Sequence, residues 1–158
     1  RFCLSGAGGL VRGLRLSEML GQVHAAAREA GRRPTNIVLM GSGEPLDNYE
    51  EVRRLVGVLT SADGCGLSPR KVTLSTSGLV PGILRMAREL EISLAVSLNA
   101  ADDETRSRLM PINRRWGLAE LTAALRAYCR TGRRVVIEYI LIRGVNDGEA
   151  DAARLARL

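Results

Sequence analysis

Lys71-Val-Thr-Leu-Ser-Thr76, the segment from Pro81 to Leu90, and Ile92-Ser-Leu-Ala-Val-Ser-Leu98 follow one another closely, and their order decides the fold. The first run is rich in β-branched residues and reads as a strand. Pro81 suits the first turn of a helix, where the amide hydrogen it lacks would have no partner anyway, and that helix runs to about Leu90. The third run is apolar and again of buried-strand length. The same alternation extends in both directions. Upstream, Ser17 reads as the N-cap of a helix with Glu18 in its first turn, running through Ala30 and stopped by Gly31. Next come a strand from Asn36 to Met40, a Gly-rich loop from Gly41 to Leu46, and a helix from Tyr49 to about Ser61 that Asn48 can cap. Downstream lie a short helix from Asp102 to Leu109 closed by Pro111, a helix from Leu118 to Arg130 ended by Thr131-Gly132, a strand from Val135 to Ile142, and a helix starting at Asp147. Apolar strands alternating with helices imply a parallel sheet covered on its outer face. An open, partial α/β barrel is the leading reading, and a doubly wound sheet the second.

The chain has 158 residues, the length of one ordinary domain, so residues 1–158 are expected to share a single core. With 46% apolar and 25% charged residues it has the balance of a globular chain, not a disordered one. Aromatics are only 3%, so the core must be built from Leu, Val, Ile and Ala. No apolar run approaches the roughly 18–20 residues that span a bilayer. Arg1-Phe2-Cys3 does not begin a secretory signal, and three irregularly spaced cysteines argue against a disulfide framework, so a cytoplasmic location is expected. The net charge is +6, and every basic residue except Lys71 is arginine. A net positive domain suits a polyanion, because neutralised phosphates release counterions.

The residues that follow each strand carry the chemistry. They are Gly41-Ser-Gly-Glu-Pro45, then Ser75-Thr-Ser-Gly78, then Ser97-Leu-Asn99, then Asn146-Asp147. Parallel topology brings all four to the carboxyl edge of the sheet, where α/β proteins bind ligands. Small hydroxyls, amides and one carboxylate suit a polar ligand with amino, hydroxyl and carboxylate groups. Turn chemistry alone also favours Gly, Ser, Asn and Pro. Glu44 is less ordinary: held between Gly43 and Pro45, its carboxylate is placed to take a ligand ammonium through charge-assisted hydrogen bonds. Cys65, in a loop entering a strand, and Cys129, within a helix, read as structural, and His24 as a surface or interface residue.

In chain order, Phe2-Cys3-x-x-Gly6-x-x-Gly9-Leu10-x-Arg12-x-Leu14, Gly41-Ser-Gly-Glu-Pro-Leu46, Arg70-Lys-Val-Thr-Leu-Ser-Thr-Ser-Gly78, Leu94-Ala-Val-Ser-Leu-Asn-Ala100, Met110-Pro-Ile-Asn113, Ile137-Glu-Tyr139 and Val145-Asn-Asp147 form one set. Together they resemble the RlmN-type radical S-adenosylmethionine (SAM) methyltransferases, over essentially the whole chain. The resemblance implies a radical SAM partial barrel lacking its first and last strands. It also implies methylation of carbon 2 of an adenine in 23S ribosomal RNA, and in some transfer RNAs, through a methyl-cysteine intermediate. The implied cofactors are a [4Fe–4S] cluster and SAM, with an electron donor such as flavodoxin.

By the same resemblance Cys3 is the last cysteine of the cluster motif and a cluster ligand. The two preceding cluster cysteines, the methyl-carrying cysteine and a second catalytic cysteine all fall outside this stretch, so no catalytic residue is expected within it. Gly43 and Glu44 are implied at the SAM amino end, with Ser75, Ser97, Leu98 and Asn99 completing the pocket. Asn99 stands where many relatives carry histidine. Arg12 and the Arg114-Arg115-Trp116 triplet are the residues placed to meet RNA phosphate or stack on a base, and a solvated loop is the plainer reading of the triplet. Two alternatives remain at this point: a Cfr-like enzyme acting on carbon 8 of the same adenine, and a non-catalytic RNA-binding protein on the same scaffold. On its own this stretch is expected neither to assemble a stable cluster nor to methylate RNA.

Overall fold

The computed structural model describes Cys3 and residues 5–158; Phe2, which opens the first motif, lies outside the described residues. Strands β1 (Ile37–Leu39), β2 (Val72–Thr76), β3 (Ser93–Ser97) and β4 (Val135–Glu138) form one parallel sheet whose spatial order is the chain order. Between and around them run α1 (Leu16–Glu29), α2 (Tyr49–Thr60), α3 (Val80–Glu89), α4 (Asp103–Leu109), α5 (Leu118–Cys129) and α6 (Glu149–Leu155). Parallel crossovers share one hand, so strands added strictly in sequence place every connecting helix on the same face. A doubly wound sheet needs a reversal of strand order, and there is none among the described residues. The architecture is an open α/β half-barrel with β1 and β4 as its edges.

The two faces of the sheet differ as the sequence alternates. Val72 and Leu74 of β2 and Leu94 and Val96 of β3 are fully buried under α2, α3 and α5, against Leu55, Leu59, Ile83, Met86 and Leu121. Each such side chain contributes about 1.5–3 kcal/mol on burial, so this layer is the main source of stability. The opposite, concave face carries Thr73, Ser75, Ser93 and Ser97, each half-buried, flanked by the exposed Val38 and Val136. The central strands are therefore not uniformly apolar runs: one side is hydrocarbon, and the other carries hydroxyls around the small, buried Ala95. No helix among the described residues is long and apolar enough to cross a membrane.

Several boundaries depart from the sequence reading, for local reasons. The N-cap of α1 is Arg15, not Ser17, because the Glu18 side chain reaches back to accept from the Arg15 amide at 2.8 Å. Asn48 takes the N-cap position of α2 as expected but makes no side-chain cap bond; its Nδ2 donates instead to the Leu14 carbonyl at 2.8 Å. The last helix starts at Glu149, and Asp147 instead accepts from the Gly144 amide at 2.8 Å. β4 stops at Glu138 where a strand to Ile142 was expected. Two asparagines take over its backbone partners: Asn99 Oδ1 accepts from Ile140 N at 3.0 Å, and Asn146 Oδ1 accepts from Ile142 N at 2.6 Å. Asn146 Nδ2 donates in turn to the carbonyls of Asn99 (2.7 Å) and Ile140 (2.8 Å). Side-chain amides thus replace the ladder and turn the chain across the end of β3.

Candidate active site

The loops at the carboxyl edge are tied together by two carboxylates. The first is Glu44. Gly43, at φ 100°, gives the loop after β1 a turn that an L side chain would strain, and this aims Glu44 at the loop after β2. Its Oε2 accepts from both the amide and the hydroxyl of Ser77 at 2.8 Å, and its Oε1 accepts from Leu46 N at 3.2 Å, capping the short Pro45–Asn48 turn. A carboxylate has about four lone-pair sites, so roughly one, on Oε1, remains for a ligand.

The second is Glu138, at the end of β4. Ser75 Oγ donates to its Oε2 at 2.9 Å and Ser97 Oγ at 3.1 Å. Glu138 sits in register with Ser97 on the concave face, so three adjacent strands converge on one oxygen. Each serine owns a single hydroxyl proton. Once that proton is given to Glu138, both oxygens show only lone pairs to anything else in the site. The edge is therefore acceptor-rich, suited to a ligand that brings donors: an ammonium or sugar hydroxyls.

Sequence reasoning did not single out Glu138 as a site residue. The available signal was a charged residue inside an otherwise apolar strand run, two positions along from Val136 on the concave side.

Beneath the edge lies Arg106 of α4, fully buried. Its Nε donates to the Leu98 carbonyl (3.0 Å), Nη1 to Asn113 Oδ1 (2.9 Å), and Nη2 to the carbonyls of Ser77 (2.8 Å) and Ser97 (3.2 Å). One planar fork thus holds the chain after β2, the end of β3 and the turn after α4 in fixed relation. Burial lowers its pKa to about 10, partly offset by Asp103, so it remains cationic at neutral pH. Gly78, at φ 112°, lies so close that a Cβ there would come within 3.1 Å of Arg106 Nη2.

The residues singled out from sequence lie in several places. Glu44, Ser75 and Ser97 stand together on this edge with Gly43 exposed beside them. Leu98 and Asn99 belong to the same edge but are turned into the protein, at 4% and 1% exposure. Asn99 has φ 58°, its Oδ1 is taken by Ile140, and its Nδ2 faces Met110 Sδ at 3.4 Å. Cys3 is exposed, and the segment that follows it enters α1 at this edge, where Glu51 Oε2 accepts from Leu16 N at 2.7 Å. Cys65 and Cys129 lie toward the opposite edge, and His24 is exposed on α1. Arg114 and Arg115 are exposed, with the Arg115 guanidinium 4.5 Å from the Trp116 ring centre. Asn113, just before them, links the triplet to Arg106.

Arg12 is engaged within the protein, donating through Nη1 and Nη2 to the two oxygens of Glu18 at 2.7 and 2.6 Å. These bonds, followed by that from the Arg15 amide, lower the Glu18 pKa from 4.5 to about 2. Because the folded value lies below the unfolded one, the anchor is complete above about 4.5 and is lost as pH falls through about 2. An NMR titration of the Glu18 carboxyl is expected to show a midpoint near 2; a midpoint near 4.5 would show that the anchor does not form.

Comparison with known proteins places these features in context. The radical SAM superfamily profile matches residues 1–156. The chain is 52% identical over 161 residues to a protein of Symbiobacterium thermophilum described as a probable dual-specificity RNA methyltransferase RlmN, covering 99% of this chain and 43% of that one. It is 54% identical to a dual-specificity RNA methyltransferase RlmN of Sorangium cellulosum, covering 42% of it. Among solved structures, a radical SAM methyltransferase from Sphaerobacter thermophilus superposes with a TM-score of 0.93 at 54% identity, over 99% of this chain and 47% of that one. The chain spans less than half the length of these relatives.

Proposed function

Since the chain belongs to the radical SAM superfamily, we propose that it is the SAM-holding segment of an RNA methyltransferase that modifies carbon 2 of an adenine in 23S ribosomal RNA and in transfer RNA. The observation that carries this reading is the hydrogen-bond polarity of the carboxyl edge. Ser75 and Ser97, their protons committed to Glu138, offer lone pairs, and Glu44 keeps one acceptor site open. The amino group and ribose hydroxyls of SAM are donors, so the residues present fit it. Glu44, steadied by Ser77, takes the ammonium; Ser75, Ser97 and Glu138 orient hydroxyls. Leu98 and Asn99 contribute by shaping the floor of the pocket, with Arg106 holding the Leu98 carbonyl and Asn146 the Asn99 carbonyl.

Cys3 offers one exposed thiol for a [4Fe–4S] cluster. In this reading the remaining cluster ligands are two cysteines of the whole protein that lie outside this stretch. When bound, the cluster supplies the single electron that opens the sulfonium of SAM. The reducing cytoplasm and a flavodoxin-type donor are part of the same proposal. Arg114, Arg115 and Trp116 flank the edge where an RNA base must arrive, exposed or flipped from its stack at a cost of about a few kcal/mol.

The test is anaerobic incubation of the whole, cluster-loaded protein with SAM and ribosomal or transfer RNA, followed by nucleoside mass spectrometry. Adenosine methylated at carbon 2 is expected. Methylation at carbon 8 would overturn the assigned position, and no methylation would overturn the enzymatic reading.

A further inference from the structure

The loops that lead into the strands, at the edge away from the proposed site, carry an unbalanced row of cations. Arg32 and Arg33 lie between α1 and β1, Arg70 and Lys71 in the short turn into β2, and Arg134 just before β4. All five are exposed. The ion pairs among the described residues use Arg12, Arg53, Arg54, Arg85 and Arg154, and none of these five.

Cations near helix C-termini are ordinary, because they complement the helix dipole, and Arg28 and Arg88 need no other explanation. Arg133 is also accounted for, donating to the carbonyls of Ala87 and Leu90. Arg32 and Arg33 follow the end of α1, and Arg70 and Lys71 close the single 3-10 turn Pro69–Lys71, too short to have much of a dipole; none of the five forms an ion pair among the described residues. β1 and β2 are neighbours with Ile37 opposite Val72, so the loop carrying Arg32 and Arg33 and the turn carrying Arg70 and Lys71 both open at this edge. The nearby acids are Glu29, Asp63, Glu91 and Glu89, and Glu89 is already paired with Arg85. The local excess is positive and unscreened by partners.

We propose that this amino edge, centred on Arg32, Arg33, Arg70 and Lys71, binds the phosphodiester backbone of the same RNA whose base enters at the opposite edge. The inference rests on the RNA-modifying reading and extends it, by giving the enzyme a sequence-independent grip remote from the chemistry. A five-residue strand is about 17 Å long, so an RNA must extend beyond that to touch both edges. A small hairpin carrying the target adenine offers few phosphates that far from the base, whereas a folded ribosomal or transfer RNA offers many. An acidic protein is the other class of partner, but an electron donor has to approach the cluster, and the segment carrying Cys3 leads into the carboxyl edge.

The experiment compares the whole protein with a variant carrying Arg32→Gln, Arg33→Gln, Arg70→Gln and Lys71→Gln, using fluorescence anisotropy on a labelled transfer RNA from 50 to 300 mM salt. Losing four phosphate contacts lowers the slope of log affinity against log salt by about 3, and affinity near physiological salt by at least about tenfold. A second variant, Arg32→Lys, Arg33→Lys and Arg70→Lys, is expected to keep the slope, since any point charge neutralises a phosphate. Methylation of a short hairpin is expected to be equal in all three proteins. An unchanged slope in the glutamine variant, with the wild type binding RNA, overturns the surface alone. A variant that binds RNA normally but loses turnover with flavodoxin, and not with dithionite, assigns the edge to an acidic protein and overturns the proposal. A wild type that neither binds nor methylates RNA overturns the functional reading beneath it.

Discussion

Replacing Arg106 with methionine is expected to destabilise the fold by about 3–5 kcal/mol, the range for removing one member of a buried charged network. The side chain is fully buried and satisfies three carbonyls and one side-chain amide oxygen at once. Methionine fills much of the volume but leaves those acceptors without donors, and each orphaned buried group costs about 1–3 kcal/mol. Domain stabilities are only about 5–15 kcal/mol, so the loss is a large share of the total. Arg106→Lys keeps a charge but not the planar fork, and recovers only part of the difference. Urea denaturation of the whole protein reads the effect as a fall in midpoint with little change in slope. A variant within about 1 kcal/mol of wild type would show that water or neighbouring donors replace the guanidinium, and that it does not organise the edge.

The second large effect is on ligand binding. Glu44→Gln is expected to weaken SAM binding by about 10–150-fold, the equivalent of one charge-assisted hydrogen bond worth about 1.5–3 kcal/mol. Two losses combine. The amide has no charge to offer an ammonium, and only one of its ends accepts, so it cannot hold Ser77 N, Ser77 Oγ and Leu46 N as the carboxylate does. Calorimetric titration of SAM into the cluster-loaded whole protein gives the ratio directly. Equal affinity in wild type and variant would remove Glu44 from the site and leave it as a loop clamp. Melting temperature serves as the control, because a clamp role alone moves stability without moving the binding ratio.

Alternation of short apolar runs with amphipathic stretches was enough to read a parallel sheet with its helices on one face, because hydrophobic period and parallel pairing are local consequences of side-chain placement. The same reasoning brought Glu44, Ser75 and Ser97 to one edge, since parallel strands all end on the same side. Glu138 escaped because its meaning depends on register. Only the pairing of Ser97 with Glu138, set by strands about 40 residues apart in the chain, turns a lone acid in an apolar run into the shared acceptor of two serines. Arg106 escaped for a similar reason. Nothing in Asp102-Asp-Glu-Thr-Arg106 distinguishes it from the many solvated arginines of this chain until packing shuts it from water.

The chain by itself determined the order of elements, the apolar face of the sheet and the edge at which polar loops gather, because each follows from interactions within about a dozen residues. Tertiary structure alone decided where β4 ends, which way the serine hydroxyls point and that Asn99 faces inward. Those outcomes turn on which donor meets which acceptor once distant loops are brought together. A buried polar group takes the partner that folding places beside it, and no local pattern in the sequence names that partner.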